Sequence, residues 1–585
     1  MNKKIGLCLF VLAIAFIFSG LYSCGGGGGG GTSESGITGG SPGGTGGGGS
    51  APPPQVTSVE YFGTYYKEKT ATLTANIPTA TIIIDGDVND WAGISPFISD
   101  EPNNKWTGDY SLSGTDITNV YLAKDDNYLY CRIDIADGAP NQSVQYRIYL
   151  PEKYEDNKTN WVLPYLVIQG VFNNNKWVTE LRFWDGTNWR LENTDLAAIN
   201  SSGIEMRMQL SSLGNPDRRY VQAMTRSFPT GYKITHDVTD TLEARFTDIS
   251  NKSVRESGFG IWTFYSDGNW TFSGSGGSND KGGNIPITAS GKYNKNPDGM
   301  VSISGSGWDG WKFGMQKGSG TIIGASLDQA NNVQGICALY KKGGVHTLVD
   351  SKTYFTTFIK DNAYRQCFLG ISELKATGEI SSQFTYNMPS GIGTSSVNGT
   401  YSRNSDGSGK NKFESSVGSI GVFDSSGNAV NTKTKTITVV YDGATREDEK
   451  FTSNVQLNNQ YRNRQRISFS FKRPENPLNK SILNGEYFAC YYEENNNNER
   501  KSGFGTMNYD GAGNLYVSLT VLKSDGTIES GPFNGTYDVD NEGKIEYGGN
   551  AGPLTGYVNE EGDTIIAANI TDATRQYIIL GVKAK

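Results

Sequence analysis

Hydrophobic and polar residues alternate along several segments of this chain. The alternation has a period of two at 128–135, 144–150 and 204–210. This pattern predicts antiparallel β-strands that turn one side to a core and the other to solvent, as in a β-sandwich. A helical pattern is suggested only at 195–199. We therefore expect an all-β chain whose first folded part, 55–246, is an antiparallel sandwich.

The second half of the chain repeats itself. Residues 255–260 read Arg-Glu-Ser-Gly-Phe-Gly, and residues 500–505 read Arg-Lys-Ser-Gly-Phe-Gly. A Gly-x-Tyr motif recurs, each time ahead of an Asp-Gly or Glu-Gly pair, at 291–293, 399–401 and 535–537. Strands separated by such turns are typical of up-and-down hairpins, and closure into barrels would remove their exposed edges. The repeats predict three small antiparallel β-barrel-like modules, at 247–345, 346–473 and 481–585, with a linker at 474–480.

The N-terminus has the pattern of an export signal. Lys3 and Lys4 precede an apolar stretch, 5–18, that is shorter than the roughly 20 residues needed to span a bilayer. The sequence Leu-Tyr-Ser-Cys at 21–24 follows and resembles the lipobox of bacterial lipoproteins. The resemblance implies that residues 1–23 are a signal peptide and that Cys24 carries a diacylglycerol anchor.

A glycine-rich segment follows the cysteine. Between residues 25 and 50, 16 of 26 residues are glycine, and three prolines come next. Such a segment cannot bury enough apolar area to order itself, so residues 24–54 are expected to be a flexible tether. Gly25 is not the Asp that retains many lipoproteins in the inner membrane. By resemblance to that sorting rule we expect the outer membrane, either on its periplasmic side or at the cell surface.

Composition narrows the possible functions. The net charge of −8 argues against nucleic-acid binding, which needs basic patches. With only two histidines, His236 and His346, a histidine-based zinc site or a Ser/His/Asp triad is improbable. No P-loop, nucleophile elbow or metalloprotease motif is present, and we expect no enzymatic activity. A pair of catalytic carboxylates, as in a carbohydrate-active enzyme, stays open as the less favoured alternative.

Four segments of the first domain resemble segments of one protein family and follow one another in the same order. The segment 81–91 ends in Ile-Asp-Gly-Asp-Val-Asn-Asp-Trp, and 116–121, 125–130 and 203–213 follow it along the chain. They resemble the corresponding strands and turns of the family 9 carbohydrate-binding modules and their DOMON-like relatives. That resemblance implies a sandwich that binds sugar, haem or no known ligand. From the residues themselves, Trp91 after a turn is expected to fill the core.

Aromatic residues cluster in the middle of this domain. The candidate carbohydrate-binding residues are Trp161, Trp177, Trp184 and Trp189. The flat apolar faces of pyranose rings stack on indole, and an Asp-Gly turn at 185–186 would place Trp184 and Trp189 at a hairpin tip. The alternative is that these tryptophans simply belong to the core.

Acidic residues are frequent in the preceding loops. Structural calcium is possible there, because Ca²⁺ takes six to eight oxygen ligands, and modules of this resemblance often carry it. The candidate ligands are Asp85, Asp87, Asp90, Asp100 and Asp116. Carboxylates that only cap turns are the equal alternative.

Three hypotheses about function follow from the sequence. The first is a membrane-anchored lipoprotein that binds a polysaccharide or cell-surface glycan without enzymatic activity. The second is a structural or adhesive surface protein whose sandwich is stiffened by calcium and has no small ligand. The third is a carbohydrate-active enzyme.

Among the cysteines, Cys131 is expected to be a buried small hydrophobe, and a bridge between Cys337 and Cys367 is left open.

Overall fold

The computed structural model describes residues 56–152, 165–316, 318, 320–343, 348–360, 365–446, 451–456, 465–549 and 554–584. The signal peptide, Cys24 and the tether lie outside these residues, as does Trp161. None of the helices in the described ranges is long and apolar enough to cross a membrane.

The described residues between 56 and 246 form twelve strands. The strands are β1 (Ser58–Leu73), β2 (Ile98–Ser99), β3 (Ile117–Lys124), β4 (Tyr128–Ile135), β5 (Val144–Pro151), β6 (Tyr165–Asn173), β7 (Lys176–Trp184), β8 (Trp189–Ile199), β9 (Gly203–Gln209), β10 (Arg218–Ser227), β11 (Tyr232–Val238) and β12 (Leu242–Arg245). Short 3-10 helices lie at Val88–Trp91 and Leu210–Leu213.

The remaining strands run from residue 249 nearly to the end of the chain, with one 3-10 helix at Lys480–Ile482. They are β13 (Ile249–Tyr265), β14 (Asn269–Ser278), β15 (Gly282–Lys295), β16 (Met300–Ser304), β17 (Trp311–Met315), β18 (Thr321–Asp328), β19 (Val333–Lys341), β20 (Ser351–Lys360), β21 (Arg365–Leu374), β22 (Glu379–Met388), β23 (Gly391–Arg403), β24 (Ser408–Asp424), β25 (Ala429–Thr445), β26 (Thr452–Val455), β27 (Gln465–Lys472), β28 (Asn484–Asn495), β29 (Arg500–Asp510), β30 (Asn514–Lys523), β31 (Ile528–Val539), β32 (Lys544–Gly549), β33 (Thr555–Val558), β34 (Thr564–Ala568) and β35 (Arg575–Lys583).

The all-β prediction is confirmed, and its one helical exception is wrong. Residues 195–199 belong to β8, and 197–199 pair with β9. The short helical pattern was overridden by pairing with the neighbouring strand, as is common for a short segment of weak propensity.

The strands form a sandwich and three closed antiparallel barrels. The first barrel consists of β1 and β13–β19, and the third consists of β28–β35. The second consists of β20–β27 and closes because β20 pairs with both β21 and β27. The Gly-x-Tyr motifs seen in the sequence lie in the fourth strand of each barrel, in β15, β23 and β31.

The position of β1 corrects the expected domain division. β1 was expected in the sandwich, within 55–246, but it pairs with β13 and β19 as the first strand of the first barrel. The sandwich is therefore inserted between the first two strands of that barrel. In the third barrel the corresponding strands, β28 and β29, are joined by a short turn. Tyr65 and Tyr66 explain the placement, since both sides of β1 are buried and the strand needs partners on both edges.

Arg245 joins the sandwich to this barrel. Its guanidinium is almost fully buried and donates to the carbonyl oxygens of Thr74, Asn279 and Asp280 at 2.6, 2.9 and 2.9 Å. These carbonyls lie where the chain leaves β1 and at the end of β14. One side chain thus fixes the point where the chain leaves the barrel relative to the point where it returns.

The sandwich packs two sheets over one apolar core. One sheet has the order β2-β3-β4-β9, and the other has the order β8-β7-β6-β5-β10-β11. β8 pairs with β7 in one sheet and with β9 in the other. β11 continues the second sheet by pairing with β24 of the second barrel. Cys131 lies in the core between the sheets, as predicted.

The outer walls of the three barrels bury one another. A single apolar cluster contains residues from all three, among them Tyr66, Phe358 and Tyr492. The rings of these three residues contact one another edge to face, with centroids 5.6, 5.1 and 5.0 Å apart. Alternate residues of the same strands fill the lumen of each barrel, so these strands are apolar on both sides.

Equivalent arginines link each barrel to the next around this contact. The Nε atom of each donates to a glutamine Oε1 atom in the last strand of another barrel. Arg255 of the first barrel contacts Gln465 of the second at 3.0 Å. Arg365 of the second contacts Gln576 of the third at 2.8 Å, and Arg500 of the third contacts Gln334 of the first at 3.3 Å. The cycle closes, so the barrels form one assembly with approximate threefold symmetry.

Ion pairs occupy the centre of the cycle. Lys360 Nζ lies 2.6 Å from Glu68 Oε1 and 2.7 Å from Glu494 Oε2. Tyr66 and Tyr492 donate to the other oxygen of Glu68 at 2.7 and 2.9 Å. Burial alone would raise the pKa of Glu68, but the charges of Lys360 and the nearby arginines outweigh it and hold the pKa below its usual range.

All four described cysteines of the mature chain are buried free thiols. Cys337 lies in the lumen of the first barrel, whereas Cys367 lies in the cluster between the barrels. The two thiols therefore face different compartments, and the disulfide left open by the sequence does not form. Cys367 Sγ instead contacts the carbonyl oxygen of Asn569 at 2.9 Å.

We expect Glu68→Gln to destabilise all three barrels together. The substitution removes one of the two buried carboxylates that neutralise Lys360, together with a counter-charge of Arg500, at a cost of about 3–5 kcal/mol in unfolding free energy. Glu373→Gln, which removes an exposed ion pair with Lys352, should cost no more than about 1 kcal/mol. Urea unfolding monitored by tryptophan fluorescence measures both.

The same carboxylate gives the stability a pH dependence. Its pKa is depressed in the folded chain, so its contribution is complete above the unfolded value of about 4.3 and is lost as the pH falls towards the folded value. The Glu68→Gln chain should lose less stability than the unaltered chain between pH 5 and the acid limit of folding. An equal loss would contradict a charged Glu68.

Candidate functional site

The hairpin between β7 and β8 carries two adjacent tryptophans. Trp184 pairs with Trp189 across the turn, as the Asp-Gly motif predicted, and their ring centroids are 5.3 Å apart. Asp185 caps the turn by accepting from the backbone nitrogens of Thr187 and Asn188. Both rings are half-buried, so each keeps part of its surface in solvent.

These tryptophans share the outer face of the larger sheet with a row of polar side chains. In β5, Tyr146 and Ile148 point into the core, so Arg147 and Tyr149 point outwards. Arg147 is in register with Gln169 of β6, which is in register with Glu180 of β7. We call these outward residues, together with Trp184 and Trp189, the outer face.

Arg147 connects the polar and aromatic parts of the outer face. Its guanidinium carbon lies 5.9 Å from the ring centroid of Trp189 and 5.1 Å from that of Phe228. Its Nη1 atom donates to the hydroxyl of Tyr149 at 3.0 Å. Among the described residues, no carboxylate lies within ion-pair distance of Arg147, although its side chain is only 7% exposed.

Two further cations lie beside Arg147. Arg226 donates to the same Tyr149 hydroxyl at 3.2 Å. Burial would raise the pKa of Tyr149, but Arg147 and Arg226 outweigh it and lower the pKa. Burial and the charge of Arg226 lower the pKa of Lys233 on β11. The three cations therefore create a positive potential around one phenol.

Planar polar groups complete the outer face. Gln169 donates to Glu180 Oε2 at 2.9 Å, and Arg182 Nε donates to the same oxygen at 2.8 Å. The carbonyl oxygen of Gln169 is buried without a hydrogen-bond partner in the described structure. A ligand hydroxyl or ammonium group is the kind of donor that it lacks.

Of the other two candidate tryptophans, Trp177 lies apart from this pair and Trp161 lies outside the described residues. Trp177 packs between Tyr146 and Phe172, with ring centroids 5.9 and 5.7 Å away, at the edge of the core. It has the structural role that was the alternative for all four. Trp161 lies outside the described residues, so its role stays a prediction.

The five acidic residues proposed for calcium serve separate local roles. Asp85 accepts from the backbone nitrogen of Asp87, Asp87 caps the 3-10 helix at Val88–Trp91, and Asp90 accepts from the nitrogen of Ile83. Asp100 lies elsewhere, against Lys435 of the second barrel, and Asp116 accepts from the backbone nitrogen of Asn103. Over the ranges that the structure describes, no group of three or more potential metal ligands comes together. Calcium binding stays a prediction without a described site.

Lys435 neutralises two buried acids at the contact between the sandwich and the second barrel. Lys435, on the long hairpin of β24 and β25, lies 2.6 Å from Asp100 Oδ2 and also contacts Asp237 Oδ1. Burial raises the pKa of Asp237, although Lys435 acts in the opposite direction. Asp116 accepts from the nitrogen of Asn103 at 2.7 Å, and burial raises its pKa as well. The cation that Asp100 and Asp237 share is thus supplied by a residue more than 190 positions away in the sequence.

Ser227 and His236 form a buried pair that no sequence pattern indicated. Ser227 Oγ lies 2.8 Å from His236 Nε2, the spacing of a nucleophile and its base. His236 is fully buried, its Nδ1 atom has no partner in the described structure, and burial lowers its pKa to about 4. Because no acid in the described ranges bonds to Nδ1 and the ring is sealed from solvent, the pair serves packing.

The segments that resemble carbohydrate-binding modules meet in one place. Trp91 is a core residue, as predicted, and its Nε1 atom donates to Glu205 Oε1 at 2.8 Å. The backbone nitrogen of Gly86 donates to the other oxygen of Glu205. The first and last of the four segments are thus joined by one carboxylate, while membership of that family stays a prediction.

Comparisons with known proteins leave the family open. No protein-family model matches the chain, and no curated protein matches it. Among solved structures, transferrin binding protein B from serogroup B Neisseria meningitidis is 9% identical, with 70% of this chain and 99% of that chain covered and a TM-score of 0.16. A double mutant of the Haemophilus parasuis Hp5 protein of the same name is 10% identical, with 84% and 99% covered and a TM-score of 0.18. Likeness at these values carries no argument about function.

We expect Lys435→Met to loosen the sandwich from the second barrel. Two buried carboxylates would lose their shared cation, at a cost of about 3–5 kcal/mol. Limited proteolysis should then cut near the contact before the barrels unfold. Lys433→Met, on the same strand but exposed, is the control and should leave the cleavage rate unchanged. Equal cleavage of both variants would contradict a bridging role for Lys435.

Proposed function

We propose that this chain is a lipid-anchored, non-enzymatic carbohydrate-binding protein of the bacterial outer membrane. The three barrels are its platform, and the outer face of the inserted sandwich is its binding surface. The observation that carries the proposal is the pair Trp184 and Trp189 next to buried, planar polar groups. Apolar faces of a sugar ring can stack on the indoles while hydroxyl groups reach Gln169 and Glu180.

The mode of anchoring rests on the sequence. The lipobox-like segment ending at Cys24 and the glycine-rich tether support a chain that is held to lipid rather than spanning it. A tether of about 30 residues reaches ~30 Å, which is enough to hold the folded part clear of the headgroups.

Cys24→Ser should release the protein from membranes. The substitution removes the thiol that would carry the acyl chains while leaving the folded part unchanged. Fractionation of cells, with labelled palmitate as a second readout, measures the effect. The unaltered chain should be labelled and sediment with membranes, and the variant should do neither. A labelled or membrane-bound variant would contradict the assignment.

Carbohydrate binding is tested on the soluble chain that lacks residues 1–24. The isolated fragment 55–246 is unsuitable, because it would carry β1 without its barrel. Trp184→Ala and Trp189→Ala should each weaken binding of a recognised polysaccharide at least tenfold, or about 1.4 kcal/mol. Tyr516→Ala, which removes an exposed aromatic ring from the third barrel, is the control and should bind normally.

A panel of neutral and acidic polysaccharides, measured by calorimetry, provides the ligand for this test. No binding to any member, or equal binding by the tryptophan variants and the unaltered chain, would contradict the proposal. The first result would favour the structural or adhesive role instead.

A further inference from the structure

The outer face carries aromatic rings beside three cations. Arg147, Arg226 and Lys233 surround the hydroxyl of Tyr149, while the acid nearest in the row, Glu180, is bonded to Arg182 and Gln169. Asp424, on the strand next to Lys233, is occupied in capping its own turn through Asn428. Among the described residues of this face, Arg147 and Lys233 thus have no ion-pair partner, in a chain whose net charge is −8.

Burial of these cations is costly unless something balances it. Arg147 is nine-tenths buried, and neither Arg147 nor Lys233 has a carboxylate within 4 Å among the described residues. The chain elsewhere supplies carboxylates to its buried cations, as Glu68 does for Lys360. A face that keeps cations without such partners is suited to receive negative charge from outside.

We propose that the ligand is an acidic polysaccharide, whose anionic oxygens bind among Arg147, Arg226 and Lys233 while a neighbouring ring stacks on Trp184 or Trp189. This inference rests on the proposed carbohydrate binding and adds the chemical class of the sugar. The buried carbonyl oxygen of Gln169 accepts a sugar hydroxyl between the two regions. Arg147 lies between them, because it contacts both Trp189 and Tyr149.

Either carboxylate or sulfate groups could supply the negative charge, so the experiment includes both. The soluble chain is titrated with polygalacturonate, with dextran sulfate and with neutral dextran. At least one acidic polymer should bind ten times more tightly than dextran, and its binding should weaken as sodium chloride is raised. The polymer that binds identifies the anionic group.

Lys233→Gln isolates the contribution of charge. Lys233 is partly exposed, and glutamine keeps much of its length, so the fold should be unchanged. The substitution should weaken binding of the acidic polymer about tenfold, as expected for the loss of one charge-assisted contact, without weakening that of dextran. Lys252→Gln, which removes an exposed lysine from the first barrel, is the matched control and should have no effect.

The outcomes separate this inference from the function on which it rests. Equal affinity for dextran and both acidic polymers, or an acidic affinity that Lys233→Gln leaves unchanged, would overturn the preference for acidic sugars while leaving carbohydrate binding in place. No binding to any of the three polymers, nor to the wider panel, would overturn both.

Discussion

The contact of Lys360 with Glu68 and Glu494 is the interaction on which the assembly of this chain depends. Each partner comes from a different barrel, and all three are buried. A buried ion of this kind is stabilising only when its partners are held in place, so the three barrels satisfy the charges only together. The surrounding apolar cluster supplies the burial, and the arginine–glutamine cycle fixes the order of the barrels. The repeats are therefore parts of one folded body rather than independent modules on a string.

This body also determines how the sandwich is presented. The sandwich leaves and re-enters the first barrel beside the buried Arg245, and β11 pairs with β24 of the second barrel. Lys435 adds an ion pair at the same contact. A domain held at both ends and along one side has little freedom to turn, so its outer face keeps a fixed orientation relative to the barrels. A surface held in one orientation suits the extended ligand that is proposed for it.

The sequence predicted the β-class, the repeats and the Trp184–Trp189 hairpin because these depend on local patterns. It did not place β1, because pairing of a strand with a partner 190 residues away leaves no local mark. The third copy of the motif found at 255–260 and 500–505, which begins at Arg365, was not recognised in the sequence. Cys367 and Leu369 replace the Ser and Phe of the other two copies, and only the arginine and the final glycine are kept. The cations of the outer face, and Lys435 beside the predicted calcium ligand Asp100, come from strands that are distant in sequence. Only the folded chain shows that they lie together.

The proposal of a sugar ligand rests on three features of the outer face. They are the adjacent indoles, the buried amide oxygen of Gln169, and the absence of a carboxylate partner for Arg147 and Lys233 among the described residues. Each is suited to groups that an acidic polysaccharide carries along its length. Hydrogen exchange of the soluble chain, with and without such a polymer, tests this account most directly. It predicts slower exchange at the 185–188 turn and in β5 and β10, with the barrels unchanged. Protection confined to the barrels, or absent throughout at saturating polymer, would contradict it.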